Sequence, residues 1–261
     1  PPLTQTMSVQ GPIARNIADL RLGLQSMMKP SSHDPLWLGA PGTAHRHHPH
    51  IAARNTRLKI GYTATPFAVD VHDPEVTKAM DIAIRGLTTA GCDVVEMPFP
   101  HADDAAQLWG DLLFTETAIF VGDMIREHGS EDMNILLENY RSYFNERDLA
   151  GVLKGMHDRL IYQRGAAEMF ADIDIFVMPT SLIRPFENDV DFKYPNNMPY
   201  IIDAQKPLHL INLLSLPSVA VPTHWAGTTP LGVQMITAMH DDLFALDVAE
   251  MLEREIGTLI A

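Results

Sequence analysis

Residues 58 to 97 constrain the fold more tightly than any other stretch of the chain. Leu58-Lys-Ile-Gly-Tyr62 is a short β-prone run, and His72-Asp-Pro-Glu75 follows with Asp73 as a helix N-cap. Pro74 then sits at the first helical position and Glu75 in the first turn, where its charge suits the helix dipole. Val76, Ala79, Met80, Ile82, Ala83, Ile84 and Leu87 recur mainly at three- and four-residue spacing, which marks one buried helix face. Gly91 stops that helix and Cys92-Asp-Val-Val-Glu-Met97 returns as a strand. Strand, helix and strand in so short a span form a βαβ unit, whose strands lie parallel with a right-handed crossover. The chain is therefore expected to be α/β.

The flanking sequence extends this scheme. Arg15 to Met28 reads as an amphipathic helix stopped by Pro30, and Ser31 to Thr56, rich in Pro, Gly and His, reads as a long surface loop. Residues 103 to 170 are helical in pattern, with breaks near His128-Gly-Ser130 and Asn145 and one long helix from Glu146 to Phe170. Asp174-Ile-Phe-Val-Met-Pro179 is continuously apolar, as a strand covered on both faces requires. A Pro- and Asn-rich loop is expected from Ser181 to Pro207, then a short helix over Leu208 to Leu214. Ser218 to Pro222 and Leu231 to Ile236 read as strands joined by Thr223 to Pro230, and His240-Asp-Asp-Leu opens a last helix that runs to Glu255. No repeat or long linker divides residues 1 to 261, which read as a single α/β domain.

Charge and composition narrow the functional classes. Lys plus Arg number 19 against 33 Asp plus Glu, a net charge of -14, so nucleic acid and anionic lipid are poor partners and a small molecule is expected. Apolar residues make up 46% of the 261, enough for a large core, yet no run reaches the roughly 20 apolar residues that span a bilayer. The single cysteine, Cys92, forms no intramolecular disulfide, which fits a cytoplasmic location. Cys92 opens what reads as a buried strand, with no base or cation beside it, and is expected to be a core thiol.

Five blocks carry a family resemblance. Gly11-Pro-Ile-Ala-Arg-Asn-Ile-Ala-Asp19 is similar to the Gly-Pro-[Met/Leu]-Ala-Arg-x-[Val/Ile]-x-Asp block of amidase-signature enzymes. Leu58 to Tyr62, the Asp-Pro-Glu-Val helix to Gly91, and Asp174 to Thr180 resemble the strand, crossover helix and Pro-Thr element that follow in that family. Asn212, Leu216-Pro217, Val221-Pro222, Pro230-Leu-Gly-Val-Gln-Met235 and the Asp-Asp-Leu helix start resemble its C-terminal block. The order is the family's, and nearly the whole chain is covered. The resemblance implies the C-terminal part of an α/β/α sandwich with a large twisted mixed sheet, and hydrolysis of carboxylic amides by a Ser-Ser-Lys triad. It also implies that the triad lies before Gly11, in a half the chain does not supply. No Gly-Gly-Ser-Ser-Gly or Gly-x-Ser-x-Gly segment occurs in the sequence, no catalytic residue is assigned, and no cofactor is called for. The chain alone is expected to be inactive, its partners being an amide substrate and either the N-terminal half or further copies of itself. The alternative is a non-catalytic binding or complementing subunit of the same ancestry.

Thr180, Asn212 and Ser215 are the candidate substrate-binding residues. Thr180 follows a strand end, where α/β sheets form ligand pockets, and the resemblance puts Asn212 and Ser215 in a segment that faces the active site. Each reads also as a hydroxyl or amide that closes a turn. Arg15 and Asp19, one helical turn apart, are expected to form a structural ion pair. His45-Arg-His-His-Pro-His50 lacks the Cys or carboxylate that would complete a metal set, and the acidic stretch Phe186 to Phe192 lacks the glycine and terminal Glu of a calcium loop.

Overall fold

A computed structural model describes residues 2–29, 57–193 and 197–259. In chain order its elements are α1 (Pro2–Met7), α2 (Ile17–Met27), β1 (Lys59–Tyr62), α3 (Pro74–Thr89), β2 (Asp93–Glu96), α4 (Ala102–Phe120), α5 (Gly122–His128) and α6 (Glu131–Tyr143). Then come α7 (Leu149–Asp172), β3 (Ile175–Pro179), α8 (Val190–Lys193), α9 (Met198–Leu214), β4 (Ser218–Ala226), β5 (Thr229–Ile236) and α10 (Asp242–Ile256).

The strands form one mixed sheet in the order β2-β1-β3-β5-β4. β1 pairs in parallel with β2 and with β3, with Ile60 opposite Val94 and Ile175, as the βαβ reading requires. β5 runs antiparallel to β3 and to β4. β3, third of the five, has all its residues buried. Its side chains alternate between two apolar layers: Phe176 and Met178 join residues of α4, α7 and α9, while Ile175 and Val177 join residues of α3 and α10. Sheet between helical layers is the α/β/α arrangement. Asp73 caps α3 by accepting from the Glu75 N–H, with Pro74 in its first turn, and Gly91 leaves the helix at φ 89°, which a glycine adopts freely.

Several boundaries differ from those the sequence suggests. The segment expected to be loop up to Pro207 instead contains the first half of α9, which starts at Met198 and carries Pro207 inside it. Proline in a helix interior costs about 3 kcal/mol, but Ile201, Ile202, Ala204, Leu210, Ile211, Leu213 and Leu214 are all buried and their packing outweighs it. Thr223 to Pro230 is mostly strand, not connection: β4 continues past a register shift between Pro222 and His224, and only Gly227 and Thr228 turn the hairpin. β2 is an edge strand with Asp93, Val95 and Glu96 exposed, so Cys92 is a buried thiol next to an exposed strand and not the start of a buried one. Arg15 and Asp19 form no ion pair. Asp19 instead bonds Asn16, whose side chain caps α2, while Arg21 pairs with Asp247 and Glu250 of α10. The histidine run 45–50 lies outside the described residues.

Two buried polar centres join distant elements. Asp111 of α4, 1% exposed, accepts from Arg147 Nε and Nη2, the Asn145 N–H and Gln107, tying the α6–α7 connection to α4. Arg159 of α7 donates to the Leu213 carbonyl at 2.7 Å, to Thr6 Oγ1 and its carbonyl, and to Ser215 Oγ. Replacing Arg159 by Met leaves the buried Leu213 carbonyl without this donor and removes the bonds to Thr6 and Ser215, and hydrogen bonds to a charged group are worth about 1.5–3 kcal/mol each before compensation. We expect Arg159→Met to cost about 3 kcal/mol and to lower Tm by roughly 10 °C. Arg159→Lys should recover less than half of that, because an ammonium lacks the planar fork. Thermal unfolding of the two variants checks both.

Candidate functional site

Thr180 begins where β3 ends, and there a groove of about 500 Å³ opens beside the antiparallel strands β5 and β4. Strand ends of this kind leave backbone groups and side chains free to meet a ligand. The walls are Thr180, Ser181 and Ile183 to Phe186 after β3, Val76 of α3, Gln205 and Leu208 of α9, Ala220 to Pro222 of β4 and Pro230 to Gly232 of β5. Most of the lining is apolar, with hydroxyls from Thr180 and Ser181, the Gln205 amide and the Arg184 guanidinium as its polar points. Thr180 donates its N–H to the Gly232 carbonyl at 3.5 Å, and its hydroxyl has no partner among the described residues. Gly232 is fixed by crowding: a Cβ there would lie 2.2 Å from the Val221 carbonyl oxygen. Arg184 is held by Asp73 at 2.6 Å. Burial alone would raise the Asp73 carboxyl, but hydrogen bonds from the Glu75 N–H and Arg184 outweigh it and hold the group below its ordinary value.

Asn212 and Ser215 lie elsewhere, in a cavity of about 240 Å³ beside Thr6 to Val9, Leu216-Pro217 and Met239-His240. The structure brings these two together and separates them from Thr180. Ser215 caps α9 in the left-handed region at φ 56°, accepts from Arg159 and donates to the Thr6 carbonyl, both at 2.7 Å. Asn212 is half-buried and its side chain has no partner among the described residues.

A third cavity, of about 250 Å³, opens between α4, α6 and α9, and Gln205 lines it as well as the groove. Trp109 and His209 stack on its wall, ring centroids 4.2 Å apart and planes 13° from parallel. Trp109 Nε1 and His209 Nδ1 are buried without hydrogen-bond partners. Burial, with a smaller contribution from Lys206, pushes the His209 imidazole down to about 4, so it is neutral over the physiological range. The sequence pattern places His209 on a helix but gives it no role. Its one signal is a histidine inside the apolar run Leu208-His-Leu-Ile-Asn212.

Burial followed by Asp174 raises the Cys92 thiol to about 11, and it remains a protonated core group. Among the described residues no group of three or more His, Cys, Asp or Glu is placed to hold a metal.

The family follows from comparison with known proteins. The Amidase family model matches residues 1–244, and the chain belongs to that family. It is 28% identical over 260 residues to an indoleacetamide hydrolase of Bradyrhizobium diazoefficiens, covering 99% of this chain and 48% of the relative. It is 26% identical over 270 residues to a glutamyl-tRNA(Gln) amidotransferase subunit of Chromohalobacter salexigens, covering 94% of this chain and 54% of that one. The chain thus spans about half the length of the relatives it matches. Among solved structures, an allophanate hydrolase of Kluyveromyces lactis superposes with a TM-score of 0.70 at 19% identity, over 94% of this chain and 39% of that one, a likeness of fold.

The low value at His209 gives a stability prediction. Between about 4 and the ordinary 6.5 the unfolded chain binds a proton that the folded chain refuses. This group's contribution is therefore complete above pH 6.5 and lost as pH falls toward 4. At roughly 1.4 kcal/mol per pH unit the loss reaches about 3 kcal/mol. Denaturant unfolding from pH 7 to 4 should show this slope in the wild type and a flatter one in His209→Leu; equal slopes would show that His209 titrates normally.

Proposed function

We propose that this chain forms the substrate-selecting wall of an amide hydrolase whose Ser-Ser-Lys triad is supplied by sequence outside these 261 residues. The groove at the end of β3 carries the reading: a mostly apolar cleft in a chain of the Amidase family, with the Thr180 hydroxyl and the Gln205 amide lacking protein partners among the described residues. In the triad chemistry a neutral Lys takes the proton of a bridging Ser, which draws the proton of the nucleophilic Ser, and backbone N–H groups hold the oxyanion. This chain contributes none of those steps. Its share is to hold the amide so that its carbonyl meets the nucleophile, with Thr180 as a direct contact and Asn212 contributing from a second, separate cavity. Ser215, already engaged by Arg159 and Thr6, fixes the turn that presents Asn212. The reading treats residues 1–261 as one α/β unit in a reducing compartment, since Cys92 has no second cysteine to pair with. No described helix is long and apolar enough to cross a membrane.

A complementing-subunit reading draws support from the Chromohalobacter relative, which is named as one subunit of an amidotransferase. Both readings place the chemistry on a partner polypeptide or segment and the recognition here.

The test is hydrolysis with and without the proposed missing half. Purified alone, the chain should show no turnover of acetamide or benzamide above buffer, because binding does not replace a lost nucleophile and oxyanion hole. Joined to a family segment that carries the Lys and the Ser/Gly-rich block, it should gain turnover. Steady hydrolysis by the chain alone, surviving repurification, would overturn the reading.

Within such a complemented enzyme, Thr180→Val and Asn212→Ala should shift kcat/KM between aliphatic and aryl amides by about three- to tenfold, the range of one neutral hydrogen bond, with Tm little changed. A uniform loss across substrates that tracks lost stability would make both residues structural.

A further inference from the structure

We propose that α7 carries a two-fold interface through which the chain pairs with a second copy of itself, the two α7 helices running antiparallel. The helix turns Gly155, Arg159, Ala166, Met169 and Phe170 into the protein. A second apolar row runs along another side of it. Leu149, Leu153 and Leu160 are 76%, 63% and 58% exposed, and Met156 between them is half-buried. Their steps of four, three and four residues are heptad spacing, which keeps a row on one side of a helix over successive turns. Leucines exposed singly are ordinary, but a row in register on a 24-residue helix is a surface that another helix covers.

Register and charge point to the partner. Set antiparallel to its own copy with Leu149 opposite Leu160, α7 brings Leu153 opposite Met156, so every layer is apolar on both sides. The same register lays Arg164 alongside residues 145 to 148 of the second copy, which include Glu146 and Asp148. Among the described residues Arg164 has no carboxylate partner, and its Nε donates to the Leu160 carbonyl at 3.3 Å. Glu146 uses Oε1 for Arg141 and Asp148 uses Oδ1 to cap α7, which leaves each a second oxygen for the incoming guanidinium. Two-fold symmetry makes this contact twice. A parallel pair would instead bring Arg164 toward its own copy and align the two helix dipoles. Exposed ion pairs of this kind choose the orientation more than they add affinity. A seam of four side chains from each copy is small beside the roughly 800 Å² per partner of a standard interface, so we expect a weak dimer, with a Kd on the order of 10–100 µM.

The proposal does not depend on the amide-hydrolase reading and is tested on the full chain alone. Sedimentation of the wild type up to about 200 µM should show the mean mass rising toward that of two chains. Leu153→Glu replaces an exposed side chain, so its Tm should stay close to that of the wild type, while the charge it places in the seam should weaken association at least about tenfold. Orientation is read by mixing two variants under mild oxidation. Leu149→Cys with Leu160→Cys should give a disulfide-linked dimer. Neither variant alone should, because in this register identical positions lie eleven residues apart along the helix, about 16 Å. Cys92 is buried and present in every sample, so it serves as the internal control. A monomer over the whole range, association unchanged by Leu153→Glu, or a disulfide in Leu149→Cys alone would overturn the proposal. So would a complementing family segment that dissolves the dimer and shields the Leu160→Cys thiol from alkylation, since that segment would then be what covers α7.

Discussion

Arg159 is the interaction on which the site side of this structure depends. It is a buried cation with no carboxylate opposite it among the described residues. Its charge is met by the carbonyls of Leu213 and Thr6, close to the C-terminal ends of α9 and α1, and by Ser215 Oγ. Helix C-termini carry partial negative charge and unpaired carbonyls, so a guanidinium fork placed between two of them satisfies groups that would otherwise need water. Burial lowers the Arg159 pKa without removing the charge. In one side chain, α7, α9 and α1 are tied together, and the left-handed turn at Ser215 is locked beside Asn212.

That geometry explains why the two halves of the candidate site differ. Around Ser215 the polar groups are consumed by structure, and the hydroxyl both accepts and donates within the protein. Around Thr180 and Gln205 they are not, and at Trp109 and His209 buried ring nitrogens go unpaired. The fold satisfies its polar groups with care at Asp111 and Arg159, and the stacked Trp109 and His209 are where it does not.

The sequence disclosed the sheet better than the site. β3 was legible because the continuous apolar run between Asp174 and Thr180 is short and closed by Pro179, as a strand buried on both faces is, and α3 because Asp73, Pro74 and Gly91 punctuate its ends. The first half of α9 was hidden by Pro199 and Pro207, local breakers overruled by the buried Ile201, Ile202 and Leu210. The hairpin of β4 and β5 was cut short because His224 and Trp225 break the apolar alternation and the strand bulges at Thr223, whose hydroxyl reaches the Ala79 carbonyl of α3. No local pattern announces Arg159, whose partners Thr6 and Leu213 lie far away in sequence, or the separation of Thr180 from Asn212 and Ser215. Motif order conveyed ancestry; contacts across the sheet decided which residues share a cavity.

The central claim is that this chain contributes recognition and not the nucleophile, and covalent labelling tests it most directly. A fluorophosphonate that reacts with activated serines would be incubated with the chain alone and with the complemented enzyme, and the adduct located by mass spectrometry after digestion. The account predicts a stoichiometric adduct in the complemented enzyme on a serine outside these 261 residues, and none within them. A stoichiometric adduct on any serine or threonine of this chain, Ser215 and Thr180 included, lost on unfolding, would contradict it.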